Sequence, residues 1–369
     1  MARPIGLFSE TSLNGPRNVR EYYRELGQQI VLGDKLGFDF FSCTQSYGLD
    51  FADSTFSISP DPLALFAAQI PLTEKIKILT AITIAPFHHP AMALSDAAAI
   101  DNLSDGRVML GVGRGHPWLY DRMGLDQSES RARFTEFGTM ARTILDDQNG
   151  RHTLKGKFWN TDDFELLPKF VQQDPEVYVA VIGGPPSALE AARNRFGLIF
   201  PSYLGMKMED VLVIQEAYQA EHNRLWDCDG KTLLGIHAST QEDVELANRK
   251  GVESLAGQLK VFARNMVEFS AKLGPDYPAY GPIGEFFTMM AEPENCERMV
   301  AEEWPTYMAV WGNAEQSLPK FEELVKAVKP HGLIIDIDAG GVDHGHVIDS
   351  MNYFGDKVLA PLQEILDAS

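Results

Sequence analysis

Basic residues are in short supply. The chain of 369 residues carries 32 Lys and Arg against 52 Asp and Glu, a formal net charge of −20. Binding nucleic acid takes a basic face that releases counterions from phosphate, so this balance argues against that class. The same deficit argues against docking on anionic membranes. Cysteine is scarce as well: Cys43, Cys228 and Cys296 are far apart and odd in number. They form neither a disulfide framework nor a zinc spacing, which fits a reducing compartment. No run reaches the roughly 18 apolar residues of a membrane helix. The opening MARPIGLFSE also lacks the apolar core of a signal peptide. The expectation is a cytoplasmic protein with neither nucleic acid nor membrane as partner.

What is present is an alternation. Short apolar runs read as strands at Pro4 to Phe8, Phe38 to Cys43, Ile76 to Ile84, Arg107 to Val112, Val177 to Ile182, Gly197 to Pro201, Thr232 to His237 and Leu333 to Ile337. Helical patterns follow them, such as Val19 to Leu36, with Asn18 as N-cap and Gly37 just past its end. Strands alternating with helices predict a parallel sheet, and near-continuous apolar strands predict burial on both faces. Eight units predict an α/β fold, a closed (β/α)8 TIM-like barrel forming one domain over 1–369, rather than an open doubly wound sheet. A barrel places its chemistry at the C-terminal ends of its strands. Two excursions, about 149–174, read as turns with a hairpin, and 251–307, interrupt the rhythm; the irregular segments near Asp163 and from Asp276 to Trp304 are candidate lids.

The most informative stretch is KIKILTAITIAPFHHPAMALSDAAAIDNLSDGRVMLGVGRGH, Lys75 to His116. Its second strand ends in Gly111-Val112-Gly113-Arg114-Gly115. Glycines there let a ligand approach the backbone, and Arg114 offers a two-pronged donor suited to phosphate. The spacing is not that of a dinucleotide-binding fingerprint. After the fifth strand, Ile182-Gly183-Gly184-Pro185-Pro186-Ser187 opens a helix, and helix N-termini bind phosphate. Two phosphate-competent loops on neighbouring strands point to one anionic ligand.

With these motifs the chain resembles the bacterial luciferase-like family of flavin-dependent monooxygenases. The match is strongest over TAITIAPFHHPAMALSDAAAIDNLSDGRVMLGVGRG, Thr80 to Gly115. PEVYVAVIGGPPSALEAARNRFG and IDAGGVDHGHVIDSMNYFGDKVLAPL support it, and the order holds along nearly the whole chain. The resemblance implies an FMN site at the strand ends, the deazaflavin F420 being the lesser alternative. It implies a non-proline cis peptide between Ala81 and Ile82 that supports the flavin ring. It implies Arg114 on the phosphate, cradled by Gly183, Gly184 and Ser187. The reaction implied is oxygenation of a small organic substrate by O2 through a flavin C4a-peroxide. The resemblance also implies a separate flavin reductase that supplies the reduced FMN, and a homodimer. A hydride-transferring F420 enzyme and a flavin-binding relative without turnover are the alternatives.

The chain departs from that family after the second strand, where many members carry histidine. Here the residues are Thr44, Gln45, Ser46 and Tyr47, and the last three are candidate substrate contacts. Acid–base work then falls to other imidazoles. His116, beside the phosphate loop, and His237, at a strand end, are the catalytic candidates. Of His88 and His89, beside Pro90, one reads as structural. His344 and His346 lie near Asp336 and Asp338 and imitate metal spacing, but no His-x-His pair marks the first strand, so no metal is expected.

Overall fold

The structure, a computed structural model, describes residues 2–14, 18–47, 50–51, 54–55, 57–182, 184–273, 287–304, 308–340 and 342–369. Eight parallel strands close a barrel. They are β1 (Ile5–Ser9), β2 (Phe40–Cys43), β3 (Lys77–Thr80), β4 (Val108–Gly113), β5 (Val177–Ala180), β6 (Gly197–Phe200), β7 (Thr232–Thr240) and β8 (Gly332–Asp338). Each pairs with the next. β8 returns to β1 with Ile5 opposite Leu333, and β4 joins β5 with Val177 opposite Leu110. The predicted fold class and all eight strands are therefore present.

Alternation along each strand divides the core in two. Phe8, Phe40, Leu79, Met109, Tyr178, Ile199, Leu233 and Ile334 fill the barrel interior. Their neighbours Leu7, Phe41, Ile78, Leu110, Val179, Leu198, Leu234 and Ile335 face outward under the helices. Both faces are buried, which is why the strands read as continuous apolar runs.

The helices begin and end where the capping chemistry directs. In α1 (Val19–Leu36), Asn18 Oδ1 accepts from the Arg20 N–H at 2.9 Å, and Gly37 leaves in the left-handed region at φ 91°. The functional end of the barrel is set by α2 (Pro62–Ala67), α3 (Pro90–Ser104), α4 (Pro117–Arg122), α5 (Ser130–Asp146), α6 (Pro185–Arg193), α7 (Met208–Trp226) and α8 (Val244–Leu273). The sequence pattern missed α4, a six-residue turn opened by Pro117 and too short to show a period.

The two excursions resolve differently. Within 149–174, Arg151–His152 pairs with Phe164–Glu165 as a short hairpin. It is held on the outer face of α5: Glu136 accepts from the N–H groups of Lys157, Phe158 and Trp159. It contributes no wall to the cavities at the barrel mouth, so it is not a lid. Within 251–307, α8 runs on to Leu273, a second helix spans Pro293–Glu303, and a short strand follows at Ala309–Gly312 and pairs with β7. Of the proposed lid, Asp276 to Trp304, residues 276–286 lie outside the described residues.

The glycines of β4 meet a neighbouring strand. A Cβ on Gly111 would lie 1.9 Å from the Thr80 carbonyl oxygen. One on Gly113 would lie 2.8 Å from the Ile82 side chain, and one on Gly115 would lie 2.7 Å from Ile84. The expectation that these glycines admit a ligand is corrected for Gly111, which instead admits the β3 segment; Gly113 and Gly115 touch that segment's side chains and also line the mouth. Thr80 Oγ1 completes the contact, donating to the Gly111 carbonyl at 2.8 Å and accepting from its N–H at 3.0 Å. The Ala81–Ile82 peptide that follows is cis, as the resemblance implied.

Gly111→Ala is expected to destabilise the barrel by about 2–3 kcal/mol, since the obstructing atom is backbone and cannot rotate away. Urea unfolding measures this. A variant with the wild-type midpoint contradicts the close approach.

Candidate active site

Two adjoining cavities open at the C-terminal ends of the strands. They share Thr44, Ala81, Ile82, His116, Ala180 and Ile182 as walls. The first extends to Gly113, Arg114, Gly115, Phe134 and Ser187. The second extends inward to Phe8, Glu10, Ile199 and Ile334. A larger cavity lies behind the barrel wall, among α2, α3, α5 and the outward-facing Leu110, Val112 and Val177. It is apolar at its centre and holds none of the phosphate-competent groups, so the chemistry belongs to the mouth.

The anion end of the mouth is built from two elements. Helix α6 starts at Gly184, whose φ of 100° favours glycine. Pro185 and Pro186 have no N–H, so the first free donors of the helix are those of Ser187 and Ala188. No side chain caps this end. Ser187 lines the cavity together with Arg114. Tyr120 donates its hydroxyl to the Arg114 carbonyl at 2.5 Å, which fixes the loop carrying the guanidinium. Arg114 is the one cation among the described residues of this wall. Gly183, also expected in the cradle, lies outside the described residues.

His116 faces both cavities. Its ring stacks on Trp118 at 4.4 Å and meets the Phe262 edge of α8 at 5.3 Å. The protein around it withholds solvation and pushes its pKa down to about 4, so it is neutral near pH 7. His237 is 1 % exposed and lines neither cavity. Its Nδ1 accepts from the Trp311 ring N–H at 2.9 Å, and burial lowers its pKa to about 3. Of the two catalytic candidates, the fold brings only His116 to the cavity.

The residues after β2 are largely occupied. Gln45 Oε1 accepts from the Ile84 N–H at 2.7 Å, and its Nε2 donates to the Pro60 carbonyl at 2.9 Å. Gln45 thus braces the bulge after β3 while still edging the cavity. The Ser46 N–H donates to the Ser59 carbonyl, and its hydroxyl is buried without a partner. Tyr47 stands toward His88 and lines the cavity behind the barrel wall, not the mouth. His88 holds Gln45, and His89 caps α3 through the Ala91 N–H, so both are structural. His344 and His346 bond to Gln28 and Gln241. Among the described residues no three metal-ligating side chains converge.

The sequence reading missed a buried acid. Glu10 follows β1, is 3 % exposed and lines the inner cavity. Its Oε2 accepts from Gln258 Nε2 of α8 at 2.6 Å. Asp336, on β8, is fully buried, and both its carboxyl oxygens are without a partner of good geometry. Burial, and each acid's carboxyl neighbour (Asp336 beside Glu10, Asp338 beside Asp336), hold both pKa values well above the ordinary carboxylate range. A charged residue immediately after an apolar strand was the available signal for Glu10.

The family model for luciferase-like monooxygenases matches residues 4–328. The oxygenase component of a flavin-dependent trigonelline monooxygenase from Acinetobacter baylyi is 24% identical over 237 residues, 62% of this chain and 63% of that protein. The match thus spans somewhat under two thirds of that relative's length. The oxygenating constituent of 3,6-diketocamphane monooxygenase from Pseudomonas putida, solved with FMN, superposes with a TM-score of 0.73 at 17% identity. It covers 97% of this chain and 98% of that one. An F420-dependent secondary alcohol dehydrogenase superposes with a TM-score of 0.72 at 19% identity, covering 98% and 99%.

The sealed His237 makes stability depend on pH. Its folded pKa of about 3 lies below the unfolded value of about 6.5, so the unfolded chain binds the extra proton between them. Stability is full above pH 6.5 and is lost as pH falls toward 3. The loss from this group is on the order of 2 kcal/mol by pH 5. His237→Gln, which keeps an acceptor for Trp311, is expected to flatten the pH dependence of urea unfolding between about pH 7 and 5. An unchanged slope contradicts the assignment.

Proposed function

The chain belongs to the luciferase-like monooxygenase family, and on that premise we propose that it is the oxygenase component of a two-component FMN monooxygenase. The observation that carries the reading is the anion end of the mouth: Arg114, Gly184 and the Ser187 end of α6 beside the Ala81–Ile82 ledge. A fork of guanidinium donors and free helix N–H groups is the donor set that a terminal phosphate takes. The residues present therefore fit FMN.

Reduced FMN, delivered by a separate flavin reductase, supplies the two electrons with which one oxygen atom of O2 enters a small organic substrate and the other leaves as water. The protein holds, orients and dries. Arg114 and Ser187 fix the phosphate, and the Ala81–Ile82 segment supports the ring. Trp118, His116 and Phe262 form an aromatic wall closed by α8, which keeps water from the reacting atoms. His116, neutral and on the wall, is the residue assigned to take and return a proton. His237 is assigned to positioning, through Trp311.

F420 is the second reading, favoured by the resemblance to an F420-dependent dehydrogenase. A deazaflavin with an oligoglutamate tail calls for several cations, whereas the described wall offers Arg114 alone. That difference supports FMN. The three free cysteines fit a reducing, cytoplasmic setting.

Fluorescence titration tests the phosphate assignment. Arg114→Ala is expected to weaken FMN at least tenfold and to leave riboflavin, which lacks the phosphate, within about twofold. Equal losses for both ligands, or none for FMN, contradict it. Tighter binding of F420 than of FMN overturns the choice of cofactor.

A further inference from the structure

Glu10 is unused by the function proposed so far, yet it shares the inner cavity with Ala81, Ile82 and His116. We propose that Glu10 is a substrate-facing acid of this pocket, presenting its carboxyl hydrogen to an acceptor atom of an uncharged organic substrate. This rests on the mouth being the flavin site.

Three observations place it there. First, the main chain leaves little freedom. The Glu10 N–H donates to the Asp338 carbonyl at 3.1 Å, and its carbonyl accepts from Thr44 Oγ1 at 2.7 Å. These bonds tie the residue between β8 and β2 and turn the side chain into the mouth. Second, one carboxyl oxygen is engaged by Gln258, whose own Oε1 is buried without a partner. Third, no basic residue lines the inner cavity. A buried carboxylate without a cation is costly, and the proton is what removes that cost.

The neighbours point the same way. The titratable groups facing Glu10 are Asp336 on β8, His116 after β4 and Cys43 on β2. Asp336 raises its pKa further, and Gln258 lowers it less than burial raises it. His116 is pushed the opposite way, to about 4. One cavity therefore holds a carboxylic acid that keeps its proton and an imidazole that lacks its second one. Pairs whose surroundings separate their pKa values in this way divide acid and base roles.

The same chemistry defines the substrate class. The other walls include Phe8, Ile199, Leu204 and Ile334, all apolar. A carboxylate, sulfonate or phosphate in this inner cavity would meet the buried Glu10, with Asp336 behind it, and no lysine or arginine. An uncharged molecule bearing a carbonyl oxygen or a heteroaromatic nitrogen would meet a donor.

Two readouts test this without a known substrate. In the unloaded protein at about pH 6, where ordinary glutamates are ionised, infrared difference spectra are expected to contain a protonated-carboxyl band that shrinks in Glu10→Gln. In the FMN-loaded protein, flavin absorption is expected to titrate above the carboxylate range and to lose that step in Glu10→Gln. The step should move down in Asp336→Asn and up in Gln258→Leu. An infrared band unchanged by Glu10→Gln overturns the proposal, as does a flavin titration that persists in that variant. Failure of FMN to bind at all instead contradicts the flavin reading, and the infrared band still decides the state of Glu10.

Discussion

The mouth of this barrel depends on one contact, the approach of Gly111 to Thr80. A side chain at 111 would lie inside the van der Waals radius of the Thr80 carbonyl. With glycine there, the Thr80 hydroxyl joins both the N–H and the carbonyl of Gly111 and takes over the pairing that the ladder gives up. β3 then leaves the regular ladder, and Thr83–Ile84 re-pairs with Val112–Gly113 one step further on. Ala81 and Ile82 are left as a ledge inside the mouth, with Gln45 bracing its far side through the Ile84 N–H. Arg114 sits at the end of the strand that makes this contact, so ledge and phosphate site are set by the same pair of strands.

The second organising fact is the separation of polar groups across the mouth. Arg114 and the α6 N-terminus lie on one side. Glu10, just after β1, lies on the other, backed by the buried Asp336 of β8, while His237 of β7 is sealed away from both cavities. Helix α8 spans both, touching His116 through Phe262 and Glu10 through Gln258. The net charge of −20 thus says little about the phosphate side, whose one described cation stands apart from the buried acids.

Much of this was legible in the sequence because it is written locally. Strand runs, the Asn18 cap and the Gly37 stop depend on neighbours a few residues away. The luciferase-like resemblance carried the Ala81–Ile82 cis bond. What escaped was set by distant partners. Gly111 read as space for a ligand, because nothing in the sequence tells which strand will lie against it. His237 read as a pocket histidine, because Trp311, which occupies it, is 74 residues away. Glu10 drew no reading, because Gln258, which engages it, is 248 residues distant. The hairpin within 149–174 read as a lid, because its anchor on Glu136 is a tertiary contact.

The most direct test of the central claim is a crystal structure of the protein with FMN bound. The account predicts the isoalloxazine ring on the Ala81–Ile82 ledge and the phosphate between Arg114 and the Ser187 end of α6. A flavin lodged in the cavity behind the barrel wall, or a phosphate out of reach of Arg114, would contradict it.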